Sequence, residues 1–98
     1  MSTTLHLLSH SPFGDTRQDS CLRIAGPEDA VLLSGEAVYA LLSAGEPWRR
    51  LQSSGLPVYA LEEDVLARGL EAGPGVTMVD YPAFVRLTLT YDKVNSWL

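Results

Sequence analysis

Four short apolar runs recur along the chain: Leu5-His6-Leu7-Leu8, Ala30-Val31-Leu32-Leu33, Val58-Tyr59-Ala60-Leu61 and Val76-Thr77-Met78-Val79. Each is about four residues long, and none alternates cleanly between apolar and polar residues. Strands covered on both faces read this way, as in parallel sheets packed under helices. The spacing between runs leaves room for a helix in every gap. The order β-α-β-α-β-α-β-α therefore predicts an α/β protein with right-handed crossovers and helices on both faces of the sheet.

Local signals place the helices. Asp15 or Thr16 is suited to cap one that runs to about Ala25, where Gly26-Pro27 stops it. Ser34 is suited to cap a second, through Glu36 to Leu42. Pro47 fits the first turn of a third, which carries Trp48 and Leu51 and ends before Gly55 and Pro57. Glu62-Glu63-Asp64 puts three acids at a helix start, where the backbone presents partial positive charge, and Gly69 is the expected stop. Asp64 and Arg68 are spaced for an i,i+4 pair. Asp80 and Pro82 start a last helix to Thr90, although Val85 to Thr90 also alternates like a strand.

Composition narrows the class. The 98 residues suit one domain, expected over 1–98. A 46% hydrophobic share against 19% charged supports a packed core. The formal charge of −5 and the lack of a basic stripe argue against strong direct binding to nucleic acid. No run approaches the ~20 apolar residues of a membrane span. With no evident signal peptide and a single cysteine, a cytoplasmic setting is expected.

Few residues offer chemistry. Cys21 is the lone thiol. It cannot form an internal disulfide, so any sulfur exchange needs a cysteine on another molecule. Its place two turns into a helix weakens help from the helix dipole. Arg17, four residues earlier, is placed to favour the thiolate. Cys21, Ile24 and Ala25 equally fit one apolar stripe, so packing and reactivity both stand. His6 lies inside a strand run and reads as a packed, hydrogen-bonded ring. His10 sits where open α/β folds place their sites, at the carboxyl end of the first strand. The two histidines lack a third ligand, so no metal site is expected. The first turn has no glycine-rich phosphate cradle, and no nucleotide cofactor is expected. Ser9 and Ser11 lack the flanking glycines of a nucleophile elbow. Trp48, Tyr59, Tyr81, Phe84 and Trp97 exceed what so small a core encloses, which points to a subunit interface.

Three segments together resemble the TusB/DsrH family. They are Leu5-His6 followed by Ser11-Pro12-Phe13, then Val58 to Leu70, then Asp80-Tyr81 with Phe84 to Thr88 and the late Trp97. The resemblance implies a three-layer α/β/α subunit of the DsrEFH-like fold, with a small, mainly parallel sheet of four to five strands. It implies assembly with homologous TusC-like and TusD-like subunits into a hexamer of two heterotrimers. Such a complex relays persulfide sulfur to a TusE/DsrC-like acceptor, for 2-thiolation of tRNA wobble uridine or, in the Dsr branch, for sulfur oxidation. No cofactor or metal is implied. The main acceptor cysteine lies on the TusD/DsrE partner. Cys21 matches a cysteine of DsrH-type members, which makes it a candidate secondary persulfide site on an otherwise auxiliary subunit.

Overall fold

Ten elements alternate along the chain in the computed structural model, which describes residues 2–42 and 44–97. They are β1 (Thr4–Leu8), α1 (Arg17–Ile24), β2 (Ala30–Leu33), a 3-10 helix (Gly35–Leu41), α2 (Glu46–Ser54), β3 (Val58–Leu61), α3 (Glu62–Ala67), β4 (Val76–Val79), α4 (Tyr81–Thr90) and β5 (Lys93–Trp97). The strands form a five-stranded sheet in the order β4-β3-β2-β1-β5. Every pairing is parallel. All four predicted apolar runs are strands, and Pro82 opens a helix rather than a strand.

Alternation along each strand sorts the core into two layers. Leu8, Val31, Leu33, Val58 and Ala60 meet Cys21 of α1, Val38 and Leu41 of the 3-10 helix, Trp48 and Leu51 of α2 and Val65 of α3. On the opposite face Leu5, Ala30, Leu32, Leu61 and Val79 meet Ala83, Phe84 and Leu87 of α4 and the following Tyr91. The architecture is thus three-layer α/β/α, with unequal outer layers.

The helix starts show how local chemistry sets the boundaries. The Asp15 carboxylate accepts the Arg17 amide at 2.8 Å and opens α1. Asp80 accepts the Ala83 amide at 2.9 Å and opens α4. Gly55 ends α2 at φ +71, a conformation that glycine adopts without a Cβ clash.

One expected helix changes type. Ser34 does not cap it. Its hydroxyl donates to the Leu8 carbonyl at 3.2 Å, and the Asp64 carboxylate of α3 accepts the Gly35 amide at 2.8 Å instead. The segment from Gly35 to Leu41 is consequently a 3-10 helix tied to α3 rather than an α-helix capped locally.

β5 carries no apolar run, and the β-α alternation of the residues does not announce it. It pairs with β1 from Thr4↔Lys93 to Leu8↔Trp97. Lys93, Val94, Asn95 and Ser96 all remain exposed, so this edge strand is held mainly by its ladder and by Trp97.

Candidate functional site

Two of the candidate residues, His6 and Cys21, lie on the sheet face that carries α1 and α2. His6 points to this face with Leu8, two residues on in β1. Trp97 stands opposite Leu8 in the β5 ladder and packs on the same layer.

Three polar side chains interlock there. His6 is 3% exposed. Its Nε2 lies 2.9 Å from Oδ2 of Asp29, and its Nδ1 accepts the indole N–H of Trp97 at 3.1 Å. Indole nitrogen can only donate, so Nδ1 carries no proton and Nε2–H donates to Asp29. Asp29 also accepts the Thr4 amide at 2.9 Å and the Gly26 amide at 2.9 Å. Burial alone would raise its carboxyl. The hydrogen bonds from His6, Gly26 and Thr4 outweigh that and hold it below the usual carboxylate range.

Cys21 lies in the same layer, in the second turn of α1, at 0% exposure. Burial pushes its thiol up to about 12, and the nearby charge of Asp29 adds to the shift. The guanidinium of Arg17, expected to favour the thiolate, is ion-paired with Asp15, and the Cys21 thiol is raised, not lowered. The apolar stripe expected through Ile24 is not the buried one. Ile24 is exposed, and the buried residues of α1 are Gln18 and Cys21, one turn apart. Gln18 donates to the Pro47 carbonyl at 3.1 Å and ties α1 to α2.

The arrangement holds a proton rather than releasing one. Both ring nitrogens of His6 are committed, so His6 is not available to take the Cys21 proton. His10 is exposed in the turn after β1, where its Nδ1 lies 3.5 Å from the Ser9 hydroxyl. The structure thus brings Cys21 and His6 to one face and leaves His10 apart. Asp29 escaped sequence reasoning. It sits in the Gly26-Pro27-Glu28-Asp29 turn, which reads locally as a loop and nothing more. Among the described residues, no group of three or more His, Cys, Asp or Glu side chains is placed to hold a metal ion. Among the same residues, no helix is long and apolar enough to cross a membrane.

A family model described as DsrH like protein matches residues 10–94. The chain belongs to the TusB/DsrH family. Protein TusB of Yersinia pestis (strain Pestoides F) is 35% identical to it over 95 residues, which is 95% of this chain and 99% of that protein. Protein TusB of Yersinia pseudotuberculosis serotype O:1b (strain IP 31758) matches to the same extent. The fold is also that of the ychN protein from E. coli, with a TM-score of 0.80 over 98% of this chain and 99% of that one, at 21% identity. In this TusB/DsrH member, buried His6 and Asp29 and half-buried Trp97 join β1, the β2 entry and β5.

Proposed function

We propose that this chain is an auxiliary subunit of a TusBCD-type complex that relays persulfide sulfur for 2-thiolation of tRNA wobble uridine. The observation that carries the reading is the 35% identity to Protein TusB over nearly the full length of both chains. Relay chemistry needs only thiols. The acceptor thiolate attacks the outer sulfur of the donor persulfide, a new S–S bond forms, the old one breaks, and the donor leaves as a thiolate. Each step requires an accessible thiolate on a docked partner. A fully buried, protonated Cys21 supports a supporting role for this subunit, with the main acceptor on a TusD-like partner. A secondary persulfide on Cys21 requires α1 to lift from the sheet first.

Co-expression with TusC-like and TusD-like subunits tests the reading. Native mass spectrometry is expected to give a hexamer with two copies of each chain. Recovery of this chain alone, with the two homologues assembling without it, contradicts the proposal.

A further inference from the structure

The hold on the end of β5 depends on one unprotonated nitrogen. Nδ1 of His6 accepts the Trp97 indole N–H at 3.1 Å, while Nε2–H donates to Asp29 at 2.9 Å. A second proton on the ring, taken from solvent, goes to Nδ1. Imidazolium has two N–H groups and no acceptor, and indole only donates. No rotation of the ring restores an acceptor, so two donors then face each other where one hydrogen bond stood. The other side of the ring responds in the opposite sense. Asp29 already accepts from Nε2–H, and a charge on the ring strengthens that bond. Protonation therefore breaks the link to β5 and tightens the link to the β2 entry.

β5 is placed to feel that loss at one end. It is an edge strand, and Lys93, Val94, Asn95 and Ser96 are exposed. Its start is tied separately. The Lys93 amide donates to the Thr3 carbonyl at 3.0 Å, and the Asp92 carboxylate accepts the Thr3 amide at 3.0 Å. At its carboxyl end only Trp97 is half-buried, packed on the core layer that holds Leu8 and Cys21.

The groups around the ring leave the change of charge to His6. Burial raises the Asp29 carboxyl, but hydrogen bonds from His6, Gly26 and Thr4 hold it below the usual carboxylate range. Burial pushes the Cys21 thiol of α1 and the Tyr91 hydroxyl beyond α4 up to about 12, so both keep their protons. The other buried residue of α1 is Gln18, and α2 buries Pro47, Trp48 and Leu51, none of them charged. Val31 and Asn95, opposite His6 in the two ladders, carry no charge either.

We infer that His6 is a pH-sensitive latch on β5: a second proton at Nδ1 releases Trp97 and frees the carboxyl end of the edge strand, while the bond to Asp29 holds. Release binds one proton. It is favoured as pH falls through the histidine range, about 5–8, and is indifferent to pH above it. It uncovers the Leu8 end of β1, a strand edge able to pair with an extended segment.

The test follows the isotope-labelled full chain by NMR between about pH 8 and pH 5.5. Long-range proton–nitrogen spectra of the imidazole report its charge and tautomer. Hydrogen-exchange protection factors report the strand, at the β5 amides and at the indole N–H of Trp97, one of two tryptophans. As His6 becomes imidazolium, protection of the Trp97 indole and of the carboxyl end of β5 is expected to fall by about 10-fold per pH unit, the slope of one bound proton. Amides of the central strand β2 are expected to keep theirs. In His6→Gln, which cannot take the proton, β5 protection is expected to stay constant over the same range. An imidazolium that forms with Trp97 still protected overturns the latch, as does a ring that stays neutral throughout. Loss of β2 protection together with β5 overturns it too, because that is unfolding of the whole chain. The same pH dependence in folded His6→Gln is equally contrary. If that variant does not fold, the wild-type comparison of β5 with β2 decides alone.

Discussion

The indole N–H of Trp97, at the end of β5, donates to Nδ1 of His6, in the middle of β1, at 3.1 Å. In the ladder His6 stands opposite Asn95, so the indole reaches back diagonally, with ring centroids 6.1 Å apart. That reach fixes the histidine tautomer and directs Nε2–H at Asp29. One hydrogen-bonded chain thus fastens the uncovered edge strand to the entry of β2.

Trp97→Phe keeps most of the ring but removes the donor, leaving a buried Nδ1 without a partner. An unsatisfied buried acceptor costs about 1–3 kcal/mol. Urea unfolding should show a loss of that size. An unchanged midpoint would mean that the indole bond contributes nothing to holding β5.

Asp29→Asn should destabilise the fold at neutral pH, because the amide brings N–H groups where three donors already point. The wild-type carboxyl is held below its unfolded value. Its contribution is therefore complete above the unfolded carboxylate range and disappears as pH falls through the lower folded value. The gap between wild type and Asp29→Asn should narrow on acidification. A gap that stays constant from neutral to acidic pH would contradict the assignment.

The Cys21 thiol moves from an ordinary value of 9.0 to about 12. Near pH 8 its thiolate fraction is then about 1000-fold below that of an ordinary thiol, and alkylation by iodoacetamide should slow at least as much relative to the unfolded chain. A raised folded value favours the fold fully below the unfolded thiol range, and that advantage fades as pH climbs toward 12. Labelling of native chain as fast as of unfolded chain would place the thiol in solvent.

Gly35 has φ +51, and a Cβ there would meet the Ser9 carbonyl oxygen at 3.4 Å. Gly35→Ala combines left-handed strain with that tight contact, and a loss of about 1–2 kcal/mol is expected from the backbone term alone. Thermal melting checks it, and no change in Tm would show that the turn relaxes freely.

The four predicted strands were legible because strands packed under helices on both faces read as short, mostly apolar runs, even β4 at the sheet edge, where only Val79 is buried. Helix α4 was legible from Asp80 and Pro82. β5 was not, because a strand exposed on both sides needs no apolar run. Lys93-Val94-Asn95-Ser96 looks like a tail until Trp97 is seen on His6. The 3-10 helix was misread for a related reason. Ser34 is a good cap by type, but the distant Asp64 takes the Gly35 amide. Cys21 was correctly placed on α1, yet its burial depends on α1 packing against β1 and α2 in the shared core layer. Asp29 takes the nearby Gly26 amide, but it joins the cluster through His6 and Thr4, 23 and 25 positions away.

The most direct test of the relay assignment is the wobble uridine itself. In a strain lacking this gene, mass spectrometry of tRNA should show 2-thiouridine at the wobble position largely lost, and restored by the wild-type gene. Undiminished 2-thiouridine in the deletion strain would contradict the account.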